Sequence, residues 1–383
     1  MKIYYNQQGK KRANGDGLNT IVINSDTNET SDCSRIFYKD KSLGFLDSSI
    51  EMNSVRIAVG MFAESNITNF EISLYNLEDG SEMFCNCVDL VTFKPSEMRL
   101  LQSPRMFLNC KNIKDFKWEN RDYKLQNAEQ MFAYSSLKVY NPYLDDFFMP
   151  RVTNAKSMFE GCDQLEEANI GARLYGVTEF DGRDMFKNCS NLKKFSGCLT
   201  IDGQKLDGMF SGCNNLEEFT LELKDFHKDE TIIVDGVEEK KHYSALERFS
   251  SLFDDDYFTS DKKESIKKMS LDVVGEKDDD KYLRQIFQNN KGLVELTIDV
   301  SPYISKTSLS YVYDVEYISN GDSLFEGCSN LTNVHGSLDL TSAYNLFKGC
   351  NLSKDGLKNV SNLLGNGSQE IIFNKDTEDE YSY

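Results

Sequence analysis

The sequence predicts an α/β fold, a leucine-rich repeat solenoid of short helices and parallel strands with a β-rich N-terminal cap and irregular insertions. Three observations predict it. First, an apolar quartet recurs: Met-Phe, a Cys three residues after the Phe, and a Leu three after the Cys. Full copies begin at Met83 (Phe84, Cys87, Leu90), Met106 (Phe107, Cys110, Ile113), Met158 (Phe159, Cys162, Leu165), Met185 (Phe186, Cys189, Leu192), Met209 (Phe210, Cys213, Leu216) and Leu324 (Phe325, Cys328, Leu331). Second, with weaker copies at Met61, Met131, Leu252, Ile286 and Leu346 there are about eleven, at a period of roughly 22 to 27 residues, the spacing of leucine-rich arrays. Third, the spacing changes within each copy. The quartet falls on one side of a 3.6-residue helix, with Glu160, Gly161, Asp163 and Gln164 opposite in the copy at Met158. It then becomes Leu-x-x-Φ-x-Φ, as in Leu165, Ala168, Ile170 or Leu216, Phe219, Leu221 or Leu293, Leu296, Ile298, ending at the period of a strand.

One copy cannot stand alone. Burying four large side chains stabilises it by about 6 to 12 kcal/mol, whereas ordering about 25 residues costs ~1–2 kcal/mol each. Stacking buries both flanks of every unit and pairs its strand in a parallel ladder. At 383 residues and 43.8 kDa the chain therefore reads as one long array rather than two or three compact domains.

Taken in order, residues 1–54 lack the quartet. The turn signal Asn14-Gly15-Asp16-Gly17 precedes the strand-like run Thr20-Ile21-Val22-Ile23-Asn24, and Arg35-Ile36-Phe37-Tyr38 and Ser54-Val55-Arg56-Ile57-Ala58-Val59 are strand-like too. A β-rich N-terminal cap or attachment module is expected there. Residues 55–350 form the solenoid, with insertions at about 222–284 and 299–320. In the first insertion, Thr231-Ile232-Ile233-Val234-Asp235-Gly236-Val237-Glu238 reads as a hairpin, because Asp-Gly supplies the positive φ of a tight turn. The triplets Asp254-Asp255-Asp256 and Asp278-Asp279-Asp280 lack the alternating ligands and sixth-position Gly of a calcium loop and read as solvated acidic faces. Residues 351–383 close the chain. An amphipathic helix over 352–365, with Ser353 as N-cap and Gly365 as stop, leads to a strand at Glu370-Ile371-Ile372-Phe373 and an acidic tail.

Seven of the ten cysteines, Cys87, Cys110, Cys162, Cys189, Cys213, Cys328 and Cys350, share one slot of the repeat. They read as small buried thiols. Ser65, Ser135 and Asn290 fill the slot elsewhere, which an obligate disulfide would not allow. Cys85-Asn86-Cys87 has no second Cys or His pair at zinc-ligand spacing, so no metal or cofactor is expected.

No His-Glu-x-x-His, Gly-x-Ser-x-Gly or phosphate-cradling loop occurs, and His227, His242 and His335 are scattered, so no enzyme is expected. A net charge of −19 and an isoelectric point of about 4.7 leave no basic stripe for nucleic acid. No apolar run reaches the ~18–20 residues of a membrane span. Protein contact remains. Candidate partner-binding residues lie in segments that vary between copies: Trp118, then Tyr143, Phe147 and Phe148, then Tyr303, Tyr311, Tyr313 and Tyr317 in the second insertion. Tyr offers large contact area with few rotatable bonds. Local packing is the competing reading for Trp118, Phe147 and Phe148.

The repeated Met-Phe-x-x-Cys-x-x-Leu at Met83, Met106, Met158, Met185 and Met209 resembles the BspA-type leucine-rich repeat family, found on surfaces of bacteria and some protists and in proteins of bacteriophages infecting gut bacteria. The resemblance spans about residues 61–350. It implies a solenoid used for adhesion or protein contact, without catalysis. Cys350-Asn351-Leu352-Ser353 and the helix after it are similar to the end of arrays in phage tail-associated proteins. Bacterial surface members usually carry a secretion signal, and the opening run from Met1 has no hydrophobic stretch of that kind. The expectation is a structural component of a bacteriophage virion, tail-associated, made in the host cytoplasm and present in several copies. Its partners would be other virion subunits or a host surface protein. A bacterial cell-surface adhesin is the second reading and an intracellular interaction scaffold the third.

Overall fold

The computed structural model describes residues 2–5, 11–14, 20–23, 31–41, 43–46, 52, 55–95, 98–117, 124–140, 151–170, 180–200, 205–224, 230–234, 237–241, 249–275, 280–302, 320–338, 340 and 342–364. They belong to two units, residues 1–192 with 209–213, and residues 193–208 with 214–383.

In the first unit, β1 (Lys2–Tyr5) lies between β2 (Lys11–Asn14), antiparallel to it, and β3 (Thr20–Ile23), parallel to it. Three short strands follow, β4 (Ser31–Asp32), β5 (Phe45–Leu46) and β6 (Val55–Ile57). β4 pairs in parallel with β6. β5 starts a parallel four-stranded sheet continued in order by β7 (Asn69–Phe70), β8 (Thr92–Phe93) and β9 (Asp115–Phe116). β10 (Val139–Tyr140) and β11 (Glu167–Asn169) form a parallel pair.

Between strands of this unit each quartet makes one coil, and this coil is a turn rather than the α-helix its spacing predicts; in the second unit the copy at Ile286 does end an α-helix, Asp280–Phe287. Around Phe62, the N–H groups of Gly60, Phe62 and Glu64 donate to the Ser81, Met83 and Cys85 carbonyls of the next coil. Those of Met61, Ala63 and Ser65 donate three residues back, to Ala58, Gly60 and Phe62. An α-helix spends its backbone donors within itself, so a segment that must bond its neighbour cannot be one. The alternation places the residues two before and two after each Phe in the left-handed region: Gly60 and Glu64, Glu82 and Asn86, Ser157 and Gly161, Asp184 and Asn188.

The one-sidedness predicted for the quartet survives this change of backbone. Met83, Phe84, Cys87, Met106, Phe107, Cys110, Met158, Phe159, Cys162, Leu165, Met185, Phe186, Cys189, Leu192, Met209, Phe210 and Cys213 are all buried. Phe rings of successive coils stack in a column, Phe62 on Phe84 at 5.4 Å, Phe84 on Phe107 at 5.6 Å, Phe107 on Phe132 at 5.3 Å and Phe132 on Phe159 at 5.6 Å. A second column from the strands, Phe70, Phe93 and Phe116, meets the first edge to face. Each slot thiol donates to the Phe carbonyl of the preceding coil, as Cys87 does to Phe62 and Cys110 to Phe84. All ten cysteines are free.

The sequence expectation of a strand at Arg35-Ile36-Phe37-Tyr38 is corrected. The segment is a coil: Arg35 and Lys39 have φ of 57° and 60°, the Phe37 N–H donates to the Met61 carbonyl, and Phe37 stacks on Phe62 at 5.2 Å. Ile36 and Asp40 stand where Met and Cys stand elsewhere, which hides this copy from a motif reading. The stacked coils thus begin inside the segment expected as cap. The expected strands at β3 and β6 are present.

The second unit contains a parallel ladder in the order β12 (Lys194–Thr200), β13 (Glu218–Lys224), β16 (Lys268–Gly275), β17 (Glu295–Pro302) and β18 (Asn333–Ser337). Between β13 and β16 the expected antiparallel hairpin forms from β14 (Glu230–Val234) and β15 (Val237–Lys241). Phe249, Phe253, Tyr257 and Phe258 cluster in a coil ahead of β16, so the insertion carries a turn of the array of its own. Lys262 sits between two members of an acidic triplet, 3.4 Å from Asp254 and 3.0 Å from Asp256. Leu216, Phe325, Cys328 and Leu331 are buried, and Phe325 stacks on Phe347 at 5.1 Å.

Helices α1 (Asp280–Phe287) and α2 (Lys354–Leu364) also belong to this unit. Ser353 caps α2, its Oγ accepting from the Gly356 N–H at 3.0 Å, and α2 packs on β18. The expected stop at Gly365, the strand at 370–373 and the acidic tail lie outside the described residues. No helix of the described residues is long and apolar enough to cross a membrane.

Candidate functional site

The residues singled out for partner binding, Trp118, Tyr143, Phe147, Phe148, Tyr303, Tyr311, Tyr313 and Tyr317, lie outside the described residues. The structure instead draws attention to a groove between consecutive strands of the first unit.

The strand ladder of that unit is split. β9 is tied to β8, the Asp115 and Lys117 N–H groups donating to the Val91 and Phe93 carbonyls. β10 is tied to β11, with Val139 opposite Glu167 and Tyr140 opposite Ala168. β9 and β10 end separate sheets. Beyond the coil backbone the two repeats meet at Ser136, whose N–H donates to the Cys110 carbonyl at 3.3 Å and whose Oγ donates to the Ile113 carbonyl at 3.0 Å. Past that point the chains part and enclose a groove of about 1060 Å³. Ile113, Phe116, Phe132, Leu137 and Tyr140 supply its apolar lining, and Val139, 41% exposed, stands at the opening.

Three lysines line the same groove, Lys111, Lys114 and Lys138. All are exposed, and among the described residues none has a carboxylate within ion-pair distance. Nine other lysines, Lys39, Lys94, Lys187, Lys194, Lys262, Lys267, Lys268, Lys348 and Lys358, are held in ion pairs. Asp163 is the acidic group on the groove wall. On a chain of net charge −19 the groove is a local cationic exception.

Tyr134 forms the rim. Its position in the coil requires the left-handed region, and its φ is 57°. Its ring lies over Gly161 of the next coil, where a Cβ would overlap it, and its hydroxyl donates to Glu160 Oε1 at 3.1 Å. Burial first, and the Glu160 charge second, push the phenol above its ordinary pKa, so Tyr134 remains a hydrogen-bond donor. The groove thus combines an apolar lining with three ammonium groups and an aromatic rim, which suits contact with another protein.

Sequence reasoning missed these lysines because they are split between two copies, Lys111 and Lys114 in one and Lys138 in the next. It also missed a ladder of Asn and Asp side chains four residues before the quartet. Asp79, Asn127, Asn154 and Asp181 each accept, through Oδ1, the N–H two residues on, at 2.9, 3.0, 3.1 and 3.3 Å. Parallel bridges join these residues in series through Gln102. Their recurrence at fixed distance from Met83, Met131, Met158 and Met185 was the available signal.

A family profile described as the BspA type leucine-rich repeat region matches six copies over residues 30–142 and 285–366, together just over half of the chain. A second, described as a Mycoplasma protein of unknown function, matches residues 101–226. Among solved structures, the chain is similar to a leucine-rich repeat protein from Bacteroides ovatus, at 18% identity over 83% of this chain and 67% of that one, with a TM-score of 0.29. No curated protein matches the chain.

Proposed function

The chain belongs to the BspA type leucine-rich repeat family, and on that premise we propose that it is a non-catalytic protein-binding scaffold, assembled into a bacteriophage particle as a tail-associated component. The groove between β9 and β10 carries the binding part of this reading. Ring columns hold the coils on either side, so the groove presents its lysines and its aromatic rim at fixed spacing, and little ordering entropy is lost on binding. Trp118, Tyr143, Phe147, Phe148, Tyr303, Tyr311, Tyr313 and Tyr317 are proposed as further contacts.

The thiols support the setting. Slot cysteines one coil apart, such as Cys87 and Cys110, are free and engaged as donors. A core of adjacent thiols suits folding in a reducing cytoplasm, where a phage subunit is made, better than folding in an oxidising compartment. Fractionation of purified particles and host envelopes with an antibody against the chain tests this. Recovery in the particle is expected. Recovery with the envelope alone would sink the virion assignment and favour a cell-surface adhesin.

A further inference from the structure

We propose that Cys328 and Cys350, which fill the same slot in the coils at Phe325 and Phe347 of the second unit, form a reversible disulfide by exchange with a small-molecule disulfide. The bond fastens the coil at Phe347, after which the chain passes into α2, to the coil before it. This clasp does not depend on the binding and assembly reading above.

Three observations converge on it. The first is register. The Phe325 and Gly327 N–H groups donate to the Leu346 and Lys348 carbonyls at 3.0 and 2.8 Å, and past the slot Asn351 Nδ2 donates to the Ser329 carbonyl at 2.8 Å. Cys328 and Cys350 lie between these rungs, beside a point where a Cβ on Gly349 would sit 3.6 Å from the Gly327 Cα. Backbones bonded side by side run about 4.8 Å apart, within the roughly 4.4–6.8 Å that a disulfide spans between Cα atoms. The second is the reach of slot side chains one coil apart. Ser65 Oγ and Cys87 Sγ are 3.7 Å apart, and Ser135 Oγ and Cys162 Sγ 3.6 Å. Neighbours in this slot are in contact. The third is access: Cys87, Cys110, Cys162, Cys189, Cys213 and Cys328 are buried, whereas Cys350 is only partly so. This slot pair therefore has a member that a small oxidant reaches. Cys328 also differs in its electrostatics. The Cys350 S–H as hydrogen-bond donor, then the Asn290 backbone and the Lys263 ammonium, hold its thiol below the ordinary value against the opposing effect of burial. Burial raises Cys87, Cys110, Cys162 and Cys189.

The exchange balances. The Cys350 thiolate attacks one sulfur of the small disulfide and expels a thiolate, and the Cys328 thiolate then attacks the Cys350 sulfur of the mixed disulfide and expels the second. The expelled thiolates take up the protons that Cys328 and Cys350 gave up. One S–S bond forms in the protein and one breaks in the co-reactant, so the protein sulfurs are oxidised and the co-reactant is reduced to two thiols.

The test incubates the full folded chain with glutathione and glutathione disulfide at several ratios, blocks the remaining thiols by alkylation, and maps tryptic peptides by mass spectrometry. The expected product is a pair of peptides joined through Cys328 and Cys350, separated again by dithiothreitol. Limited tryptic cleavage at Lys348, within the clasped coil and read after reduction, should be about tenfold slower in the oxidised chain. Cys350→Ser puts into the slot the side chain found at Ser65 and Ser135, and it should give neither the joined pair nor the protection. Cys162→Ser, at a buried rung, should leave both in place. Reversal of the protection by dithiothreitol in the parent chain reads the same effect without a variant. A mixed disulfide that stops at Cys350, pairing of other cysteines first, joining only after denaturation, or oxidation without protection each overturns the inference.

Discussion

The thiol of Cys189 donates to the carbonyl oxygen of Phe159, thirty residues earlier and one coil back, at 3.1 Å. The same bond joins Cys162 to Phe132, Cys213 to Phe186 and Cys350 to Phe325 at 3.0 to 3.1 Å. In most copies the slot therefore holds a small side chain that can also donate, and Ser65 and Ser135 are of that kind, each in contact with the next slot's thiol; Asp40 and Asn290 are the exceptions.

Substitution at this slot should separate volume from donor capacity. Cys189→Ser keeps a donor and is expected to cost about 1 kcal/mol, whereas Cys189→Val removes it and overfills the slot, costing about 1–3 kcal/mol. Urea midpoints of the two variants test the order. Val tolerated better than Ser would show that the slot responds to apolarity alone.

Gly161 and Tyr134 should behave as a coupled pair. Gly161 has a φ of 67° and lies under the Tyr134 ring, so Gly161→Ala is expected to cost about 1–3 kcal/mol. In a Tyr134→Asn background the ring is gone and Asn accepts the left-handed region, leaving only backbone strain. A coupling of roughly 0.5 kcal/mol or more is expected from the double-mutant cycle. An unchanged cost in both backgrounds would exclude overlap with the ring.

Alkaline pH should destabilise the protein through its thiols. Burial pushes Cys33, Cys85 and Cys87 up to about 11 and Cys162 up to about 12, from the usual 9.0. Above that usual value the unfolded chain gives up thiol protons that the fold retains. The unfolded state then binds fewer protons, and stability declines as pH rises. The contribution is complete below pH 9 and is lost toward pH 11 to 12. Thermal melts across this range should show the decline, and Cys162→Ser should make it shallower. An identical slope in that variant would assign the effect to other groups.

The tyrosines of the second insertion are proposed as a contact surface. Replacing Tyr303, Tyr311 and Tyr313 by Ser should reduce capture of the chain by purified particles lacking it, with the melting transition in place. Loss of the folded state would return them to the core.

Local spacing made much of the array legible. Met158, Phe159, Cys162 and Leu165 were assigned to one buried side because their positions coincide under a period near 3.6, and all four are buried. Leu296 and Ile298 were assigned to the inward face of a strand by the period of two, and both are buried. The copy at Phe37 was not legible, because Ile36 and Asp40 preserve the packing and the backbone bonds without preserving the letters.

By itself, then, the sequence determined which side chains are buried and that the units must stack, since both follow from apolar periodicity and from the cost of ordering a lone copy. Tertiary structure decided where the backbone donors go. The Phe62 N–H bonds to Met83 in the next coil, so the apolar pattern of a helix is carried by a turn. It also decided the groove: whether β9 and β10 pair, and whether Lys111, Lys114 and Lys138 converge, depends on contacts between residues more than twenty apart, to which a periodicity measured within one copy is blind.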